Sequence, residues 1–294
     1  MNPPLPAPRV RVRRLPATAG LSWIVRAWRT FRRQPLGFLG LFGMFLMLLV
    51  AVQLPVALLI PLLEALHLGT AFVPLLGVVL LPLLSLGFMI GTEAATNDLR
   101  VRPQFLFIAL ARSPQARRSL GALGLAYLAL VGLAAIAGNG LDGGEAQRWL
   151  VARLTASSAA ALAATADLSD AGAGVLSLKA ALVALGSVPL WHAPALVHWG
   201  RQRTLPALFG SVVALWRTKA AFTLFLVSWF GFGLVSSLLL AALSTVLGDF
   251  AFVVATVLGS WVMTALFYIT LWFGFEDTFE IAVPPAPAPS SPAE

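Results

Sequence analysis

The stretch LGFLGLFGMFLMLLVAVQLPVALLIPLL, residues 36–63, decides the fold class because it runs without a single charged side chain. About 20 apolar residues are enough for a helix to cross a hydrocarbon core of roughly 30 Å. A basic segment precedes the run, as in a signal peptide. However, a signal sequence has an apolar region of only about 7–15 residues, followed by a small-residue cleavage site. The stretch therefore predicts a retained membrane span.

The composition of the whole chain agrees with this interpretation. Of the 294 residues, 59% are hydrophobic and 11% are charged, whereas soluble domains carry about 25% charged residues. Cysteine is absent, which excludes disulfides, thiolate nucleophiles and cysteine-ligated metals. A net charge of +8 could suggest a nucleic-acid partner. Because the basic residues flank apolar runs, we interpret them as membrane topology signals and expect no nucleic-acid partner.

Five further apolar runs are long enough to cross a membrane. The six predicted spans cover approximately residues 36–63, 71–92, 119–138, 174–198, 220–247 and 250–275. None of them shows the alternating pattern of a transmembrane barrel strand. The predicted fold class is therefore an all-α integral membrane domain, residues 20–276, with six transmembrane helices. We expect the proline-rich tails on either side, basic in residues 1–19 and acidic in residues 277–294, to be disordered.

The basic residues predict the orientation of these spans. Seventeen of the 20 Lys and Arg lie before span one, between spans two and three, or between spans four and five. Only Arg148, Arg153 and Lys179 fall on the other side. The positive-inside rule therefore places both termini in the cytoplasm.

An apolar segment with helical periodicity precedes each pair of spans. In residues 21–33, four apolar side chains share one helical face and the polar ones lie opposite; residues 205–216 repeat the design, and residues 103–112 are a poorer copy. The apolar face of residues 21–33 consists of Leu21, Ile24, Trp28 and Phe31. Basic amphipathic helices of this kind lie in the headgroup plane. We expect three hairpins, each preceded by a cytoplasmic interfacial helix; whether the hairpins are internal repeats stays open. The predicted contacts to lipid headgroups are Arg26, Arg29, Arg32, Arg33, Arg217 and Lys219.

Polar chemistry inside the spans is sparse. No Asp, Glu, Lys or Arg lies at a span centre, which disfavours a proton-coupled pump. The carboxylates fall at the ends of spans, where we expect them to be solvated. Prolines interrupt spans one, two and four, and broken helices form binding sites in transporters. The candidate cavity or kink residues are Gln53, Pro82, Ser85, Pro189, His192 and Pro194.

The stretch SVPLWHAPALVHWG, residues 187–200, contains two of the three histidines. His192 and His198 are six residues apart, so they point about 120° apart on a helix and lie ~9 Å apart along its axis. This spacing does not suit one metal ion, and we expect no metal, haem or other cofactor. We expect His198 to be wet and His192 to lie below the surface beside a kink. The expected cytoplasmic aromatic belt consists of Trp191, Trp199, Trp216 and Trp272.

Four segments together resemble a known family. They are GLSWIVRAWRTFRRQPLGFLGLF (20–42), LPLLSLGFM (81–89), PLWHAPALVHW (189–199) and ALFGSVVALWRTKAAF (207–222). The pattern resembles an uncharacterised family of six-span proteobacterial inner-membrane proteins over roughly residues 20–275. The resemblance implies a multi-pass protein with six spans in the bacterial inner (plasma) membrane. The family has no established activity, so it implies no catalytic residue in this chain.

Two classes of function stay open at this point. The first is a non-catalytic membrane protein of unknown biochemical activity that supports assembly, envelope organisation or lipid interaction. Its partners would be anionic lipids and, as an option, a second copy or another membrane protein. The alternative is a transporter or channel for a small or lipidic solute. A continuous polar cavity reaching Gln53, Ser85 or His192 would favour the alternative, and a closed, dry bundle would oppose it. An enzyme is disfavoured because no constellation of polar residues lies at one depth.

Overall fold

The computed structural model describes residues 8–65, 73–155, 168–244 and 249–282. Six segments are helical, long enough and apolar enough to cross a membrane, and they coincide with the six predicted spans to within several residues. The segments are Pro35–Leu62, Leu75–Thr96, Pro114–Asp142, Asp170–His198, Lys219–Leu240 and Ala251–Thr278. The prediction of an all-α membrane protein is confirmed at this level.

The elements follow one another with short connections. The spans are formed by α2 (Pro35–Ala65), a 3-10 segment (Val73–Leu80) leading into α3 (Leu81–Thr96), α5 (Pro114–Asp142), α7 (Asp170–Ser187), α10 (Lys219–Ser244) and α11 (Asp249–Thr278). Between and before them lie α1 (Ala19–Arg33), α4 (Phe105–Arg112), α6 (Glu145–Thr155), a 3-10 turn (Val188–Leu190), α8 (Ala193–His198) and α9 (Thr204–Arg217). Two short strands, β1 (Arg9–Val12) and β2 (Phe279–Ala282), complete the described part of the chain.

The local sequence explains where the third span begins. Ser113 has an extended conformation, and its hydroxyl accepts a hydrogen bond from the Ala116 amide at 3.1 Å. Pro114 occupies the first helical position, where its missing N–H costs nothing and its fixed φ suits the helix. A serine cap of this kind stabilises a helix by roughly 1 kcal/mol. Ser169 caps α7 in the same way by accepting from the Gly172 amide at 3.0 Å.

Helix α3 occupies the centre of the bundle. Every residue from Pro82 to Thr92 is buried, and α2, α4, α5, α8 and α11 all pack against this helix. Consecutive spans are also neighbours, since α5 packs along α7 and α10 contacts α11. Helix α1 packs on α10 and α11, α4 packs on α3 and α5, and α9 packs on α8 and α5. These three short helices share one end of the bundle, which we call the basic end because most of the arginines lie there.

The tails differ from the sequence prediction. Residues Arg9–Val12 pair with Phe279–Ala282 as antiparallel strands, with Val10 opposite Ile281. The expectation of disorder is therefore wrong for these eight positions. The reason is that Val10 and Ile281 pack against the hydrophobic core, while the carboxylate of Glu280 lies 3.6 Å from Arg13 Nε. Tail residues 1–7 and 283–294 lie outside the described residues.

Candidate functional site

Span four is interrupted where the sequence predicts a kink. Helix α7 ends at Ser187, a 3-10 turn follows, and the chain bends at residues 191–192 before α8 begins. Pro189 and Pro194 lack backbone N–H groups, and their rings clash with the preceding turn of a regular helix. The span is therefore a discontinuous helix. Its second half is the six-residue α8, which packs against α3, α5 and α9.

His192 lies in this interruption and is fully buried. Its imidazole is surrounded by three phenylalanine rings, with centroid distances of 5.4 Å to Phe222, 6.2 Å to Phe275 and 5.7 Å to Phe279. Neither ring nitrogen has a hydrogen-bond partner among the described residues. The three rings come from α10, α11 and β2, so His192 lies where the interrupted span meets the last span and the strand pair.

A charged cluster that the sequence analysis missed fastens α1 to the end of α11. Trp23 Nε1 donates to the Asp277 carboxylate at 2.8 Å, and Arg26 donates to both oxygens of the same carboxylate at 2.9 and 3.0 Å. Arg26 also pairs with Glu276, and its guanidinium carbon lies 4.1 Å from the centre of the Phe273 ring. We call Trp23, Arg26, Glu276 and Asp277 the α1–α11 clamp.

The clamp corrects two expectations. Arg26 was expected to contact lipid headgroups, but its guanidinium is directed to carboxylates of the same chain. The carboxylates after span six were expected to be solvated, but the side chain of Asp277 is only 27% exposed. The physical reason is that the charged end of α11 lies against α1, so opposite charges meet at a partly desolvated contact. The sequence contains two signals for this contact: Arg26 follows Trp23 by three residues in α1, and Asp277 follows predicted span six.

The other basic candidates have a different environment. Their side chains are exposed, and none forms an ion pair with a carboxylate in the described ranges. The residues are Arg29, Arg32, Arg33, Arg217 and Lys219. The Lys219 ammonium lies 5.1 Å from the Trp216 ring, a cation–π distance. These five side chains are therefore available to anions outside the protein.

His198 and three of the four belt tryptophans are also placed differently from the expectation. His198 is 7% exposed, so the prediction of a wet side chain is wrong. Trp191 and Trp272 are buried, and Trp199 donates to Glu93 at 3.2 Å. Trp199 is half-buried, and its ring lies 4.9 Å from that of Trp272, measured between centroids, because α8 turns inward after the interruption and packs against α3, α5 and α9. Only Trp216, at 75% exposure, lies where an aromatic belt would require.

The remaining cavity candidates are not brought together. Pro82 lies at the first turn of α3, where proline is tolerated, so it begins a helix and does not kink one. Ser85 is buried in α3, with no hydrogen-bond partner for its hydroxyl among the described residues. Gln53 faces the 3-10 segment, where a Cβ on Gly77 would lie 3.5 Å from its amide nitrogen. Gln53, Ser85 and His192 do not line any of four cavities in the described part of the chain.

The cavities that the structure does contain are of two kinds. One is a polar recess of about 300 Å³ at the basic end, lined by Ser113, Gln115, His198, Arg201 and Gln202 among others. The other kind is apolar and includes a crevice of about 530 Å³ between α5 and α7 on one side and α10 and α11 on the other. Sequence reasoning missed the crevice because it is formed by helices that are distant along the chain. Among the described residues, no group of three potential metal ligands occurs.

Comparison with known proteins identifies a relative that is similar along almost the whole chain. The chain is 32% identical over 275 residues to a probable inner membrane protein of Burkholderia thailandensis, and the match covers 92% of this chain and 94% of the relative. No family model matches the chain. No solved structure matches it either.

Proposed function

The chain belongs to the family of this Burkholderia inner-membrane protein, and from that premise we propose that it is a non-catalytic membrane protein whose basic end binds anionic lipid headgroups. The six apolar helices and the family together make it a multi-pass inner-membrane protein. In the proposed topology both termini are cytoplasmic, and three hairpins of two spans each follow an interfacial helix. The role served is assembly, envelope organisation or lipid interaction.

The observation that carries the proposal is an exposed apolar stripe on α9. Leu205, Phe209, Val212 and Trp216 are 77%, 71%, 46% and 75% exposed. Their spacing of four, three and four residues puts them on one face of the helix. The opposite face, with Ala207, Ser211 and Ala214, is buried in the protein. A stripe of large apolar side chains beside exposed Arg217 and Lys219 fits a helix that lies in a membrane interface.

Helix α1 carries a second stripe of the same kind. Leu21, Val25 and Trp28 are each exposed by 45–48%, again at helical spacing. The stripe continues to Arg32, which is exposed. Trp23 and the other buried residues of α1 face α10 and α11. Helix α1 thus has one face for the protein and one apolar face that ends in a cation, which supports a shared contact with lipid.

The exposed arginines of the basic end determine which class of lipid headgroup would be preferred. Each Lys or Arg near an anionic membrane surface contributes about 1 kcal/mol of attraction at low salt. Arg29, Arg32 and Arg33 form no ion pair with the described carboxylates, so their attraction for external anions is not cancelled within the protein. Together they would favour an anionic over a zwitterionic headgroup by roughly 3 kcal/mol before screening.

The test is reconstitution of the full chain in nanodiscs containing phosphatidylglycerol and phosphatidylethanolamine, with the lipids that remain bound measured by native mass spectrometry. We expect phosphatidylglycerol to be enriched, and the variant Arg29→Gln/Arg32→Gln/Arg33→Gln to lose about tenfold to a hundredfold of that preference. The control is Arg148→Gln, which removes an exposed arginine from the opposite end. Equal retention of both lipids by the wild-type protein would overturn the proposal.

The orientation can be tested separately because the chain contains no cysteine. Arg203→Cys at the basic end and Arg148→Cys at the opposite end each introduce a unique thiol on an exposed residue. In intact cells with a permeabilised outer membrane, an impermeant maleimide should label Arg148→Cys and spare Arg203→Cys. Labelling of Arg203→Cys alone would reverse the proposed topology without affecting the lipid preference.

A further inference from the structure

The crevice between the second and third pairs of spans has the properties of a binding site inside the membrane. Helices α5 and α11 each pack against α3, and the space left between α5–α7 and α10–α11 measures about 530 Å³. Known small-molecule pockets have volumes of roughly 300–1,000 Å³. We call this space the tyrosine crevice, since Tyr127 on α5 and Tyr268 on α11 both line it.

One wall of the tyrosine crevice is held in place by aromatic packing. The Phe267 ring lies 5.4 Å from Trp191, 5.6 Å from Trp229 and 5.5 Å from Tyr268, measured between centroids. Edge-to-face and tilted pairs at such distances are the favoured aromatic geometries. The wall therefore exists before any ligand binds, and a ligand would not have to meet the cost of ordering it.

The two tyrosine hydroxyls have no evident structural purpose. Tyr127 and Tyr268 are the only two tyrosines in the sequence. Neither hydroxyl has a hydrogen-bond partner in the ranges that the structure describes. Two other polar groups of the crevice, the Ser187 hydroxyl and the Trp191 indole N–H, are already satisfied: Ser187 donates to Ala184 at 2.8 Å and accepts from Trp191 Nε1 at 3.2 Å. An unpartnered hydroxyl in hydrocarbon costs free energy. Phenylalanine, which occurs 19 times, would supply the same ring without that cost.

The depth of the hydroxyls restricts what they can bind. Tyr127 lies eight residues after the predicted start of span three at residue 119, and Tyr268 lies seven residues before the predicted end of span six at residue 275, which are distances of ~12 and ~10 Å at 1.5 Å per residue. Both positions lie well inside a hydrocarbon core of about 30 Å. A charged headgroup would be costly at that depth. The polar part of the ligand is therefore uncharged.

The route of entry indicates that the rest of the ligand is apolar. Leu185 on α7 and Phe230 on α10 form the rim, and they are 70% and 68% exposed. In a membrane this rim faces lipid, since both residues lie within spans. A ligand dissolved in the bilayer would reach the crevice laterally. Between the rim and the tyrosines it would contact valine, leucine and aromatic side chains.

We propose that the tyrosine crevice binds an uncharged, carbonyl-bearing lipid of the quinone class. The two phenol O–H groups donate hydrogen bonds to carbonyl oxygens of a small planar head, the head lies against the aromatic wall, and the apolar chain leaves through the rim. The quinone is a ligand only, and no electron transfer is implied. This inference requires membrane insertion but not the anionic-lipid preference of the basic end.

The test uses the full chain in nanodiscs and the soluble-chain quinone decylubiquinone, with binding measured by equilibrium dialysis. We expect saturable binding that Tyr127→Phe/Tyr268→Phe weakens about tenfold to a hundredfold, since two neutral hydrogen bonds contribute roughly 1–3 kcal/mol. The matched control is Thr264→Val, which removes a hydroxyl that donates within α11. Ala184→Phe, which fills the crevice from α7, should abolish binding while Tm is retained.

Two outcomes would overturn the inference. One is equal binding by the wild-type protein, Tyr127→Phe/Tyr268→Phe and Ala184→Phe. The other is retention of decylubiquinone no greater than by empty nanodiscs of the same lipid composition, which would mean that the quinone only partitions into the bilayer. The Arg29→Gln/Arg32→Gln/Arg33→Gln variant keeps the crevice intact. If this variant keeps the wild-type lipid preference and also binds quinone, the proposed function alone is overturned.

Discussion

Large apolar side chains are buried at the basic end of the bundle and exposed in the opposite half. At the basic end Trp23, Phe88 and Phe225 are at most 1% exposed. In the opposite half, Leu58 of α2 and Leu238 of α10 are 73% and 61% exposed. Lipid tails are as apolar as leucine, so exposure to lipid carries no hydrophobic penalty and burial must come from packing or polar contacts. The molecule concentrates its specific packing toward the basic end.

Hydrogen bonds show the same division. At the basic end they join distant parts of the chain, as in the contact of Trp23 with Asp277. Within the spans, the hydroxyls of Ser228, Thr256 and Thr264 donate to carbonyls four residues earlier in the same helix. Such local bonds do not determine how helices pack against each other. The basic end should therefore account for most of the stability that mutations can remove.

The largest expected effect is the loss of an aromatic ring from the centre of the basic end. Phe88 is fully buried, and its ring stacks with Phe38 at 6.1 Å and Tyr268 at 5.5 Å. Phe88→Ala should lower the free energy of unfolding by about 3–5 kcal/mol, because the cavity persists in a packed core. Phe230→Ala, at a residue exposed by 68%, should change it by less than about 1 kcal/mol. Unfolding in mixed micelles measures both, and equal losses would contradict the division between the two regions.

Glycines allow the same comparison through steric overlap. A Cβ on Gly20 would collide with the Ala221 carbonyl and lie 2.7 Å from the Phe225 amide nitrogen, so α1 would have to move away from α10. Gly20→Ala should destabilise the protein by roughly 1–3 kcal/mol. At Gly231, in the same partner helix, an added Cβ meets no atom of the described residues within 4 Å. Gly231→Ala should be neutral or stabilise the protein by about 0.5–1 kcal/mol. A larger loss of stability for Gly231→Ala than for Gly20→Ala would contradict the difference between the two regions.

The sequence predicted what depends on local signals. Apolar runs predicted the spans, and the prolines of span four located its interruption. It did not predict the buried face of α1. That helix carries two faces with apolar residues, and the small side chain of Ala27 lets the Trp23 face pack closely against α10 and α11. The more hydrophobic face, with Leu21 and Trp28, stays exposed.

The contacts that sequence reasoning missed all join distant residues. Strand β1 pairs with β2 across almost the whole chain, and the α1–α11 clamp joins Arg26 to Asp277. No pattern within a window of ten to twenty residues contains such a pair. The tyrosine crevice is a further case, because it depends on the space that α5 and α11 leave beside α3. The chemistry of its residue types gave no signal, since a lone tyrosine in a span is usually a packing residue.

An intermediate effect is expected at the α1–α11 clamp. Asp277→Asn keeps the shape of the side chain but removes the charge that faces Arg26 and Trp23. We expect a loss of about 1–2 kcal/mol, less than for a fully buried pair because both partners are partly exposed. The control Glu280→Gln weakens a pair whose two side chains are more than half exposed and should cost less than about 0.5 kcal/mol. If the two variants melt at the same temperature, the clamp contributes no more than a surface ion pair.

The smallest effect is expected from a polar contact at the opposite end. The Glu145 carboxylate accepts hydrogen bonds from the Ser169 amide at 3.0 Å and its hydroxyl at 2.8 Å, and these bonds hold the pKa of Glu145 below its ordinary value of 4.5. A lowered folded-state pKa means that the contact contributes fully above about pH 4.5 and is lost as the pH falls through the lower folded value. An NMR titration should therefore show the Ser169 amide shifting only below pH 4.5, and Glu145→Gln should abolish the shift. Because the carboxylate is solvated, we expect acid to release the start of α7 without lowering Tm; cooperative unfolding in that pH range would show that the opposite end contributes more to the fold than its exposure indicates.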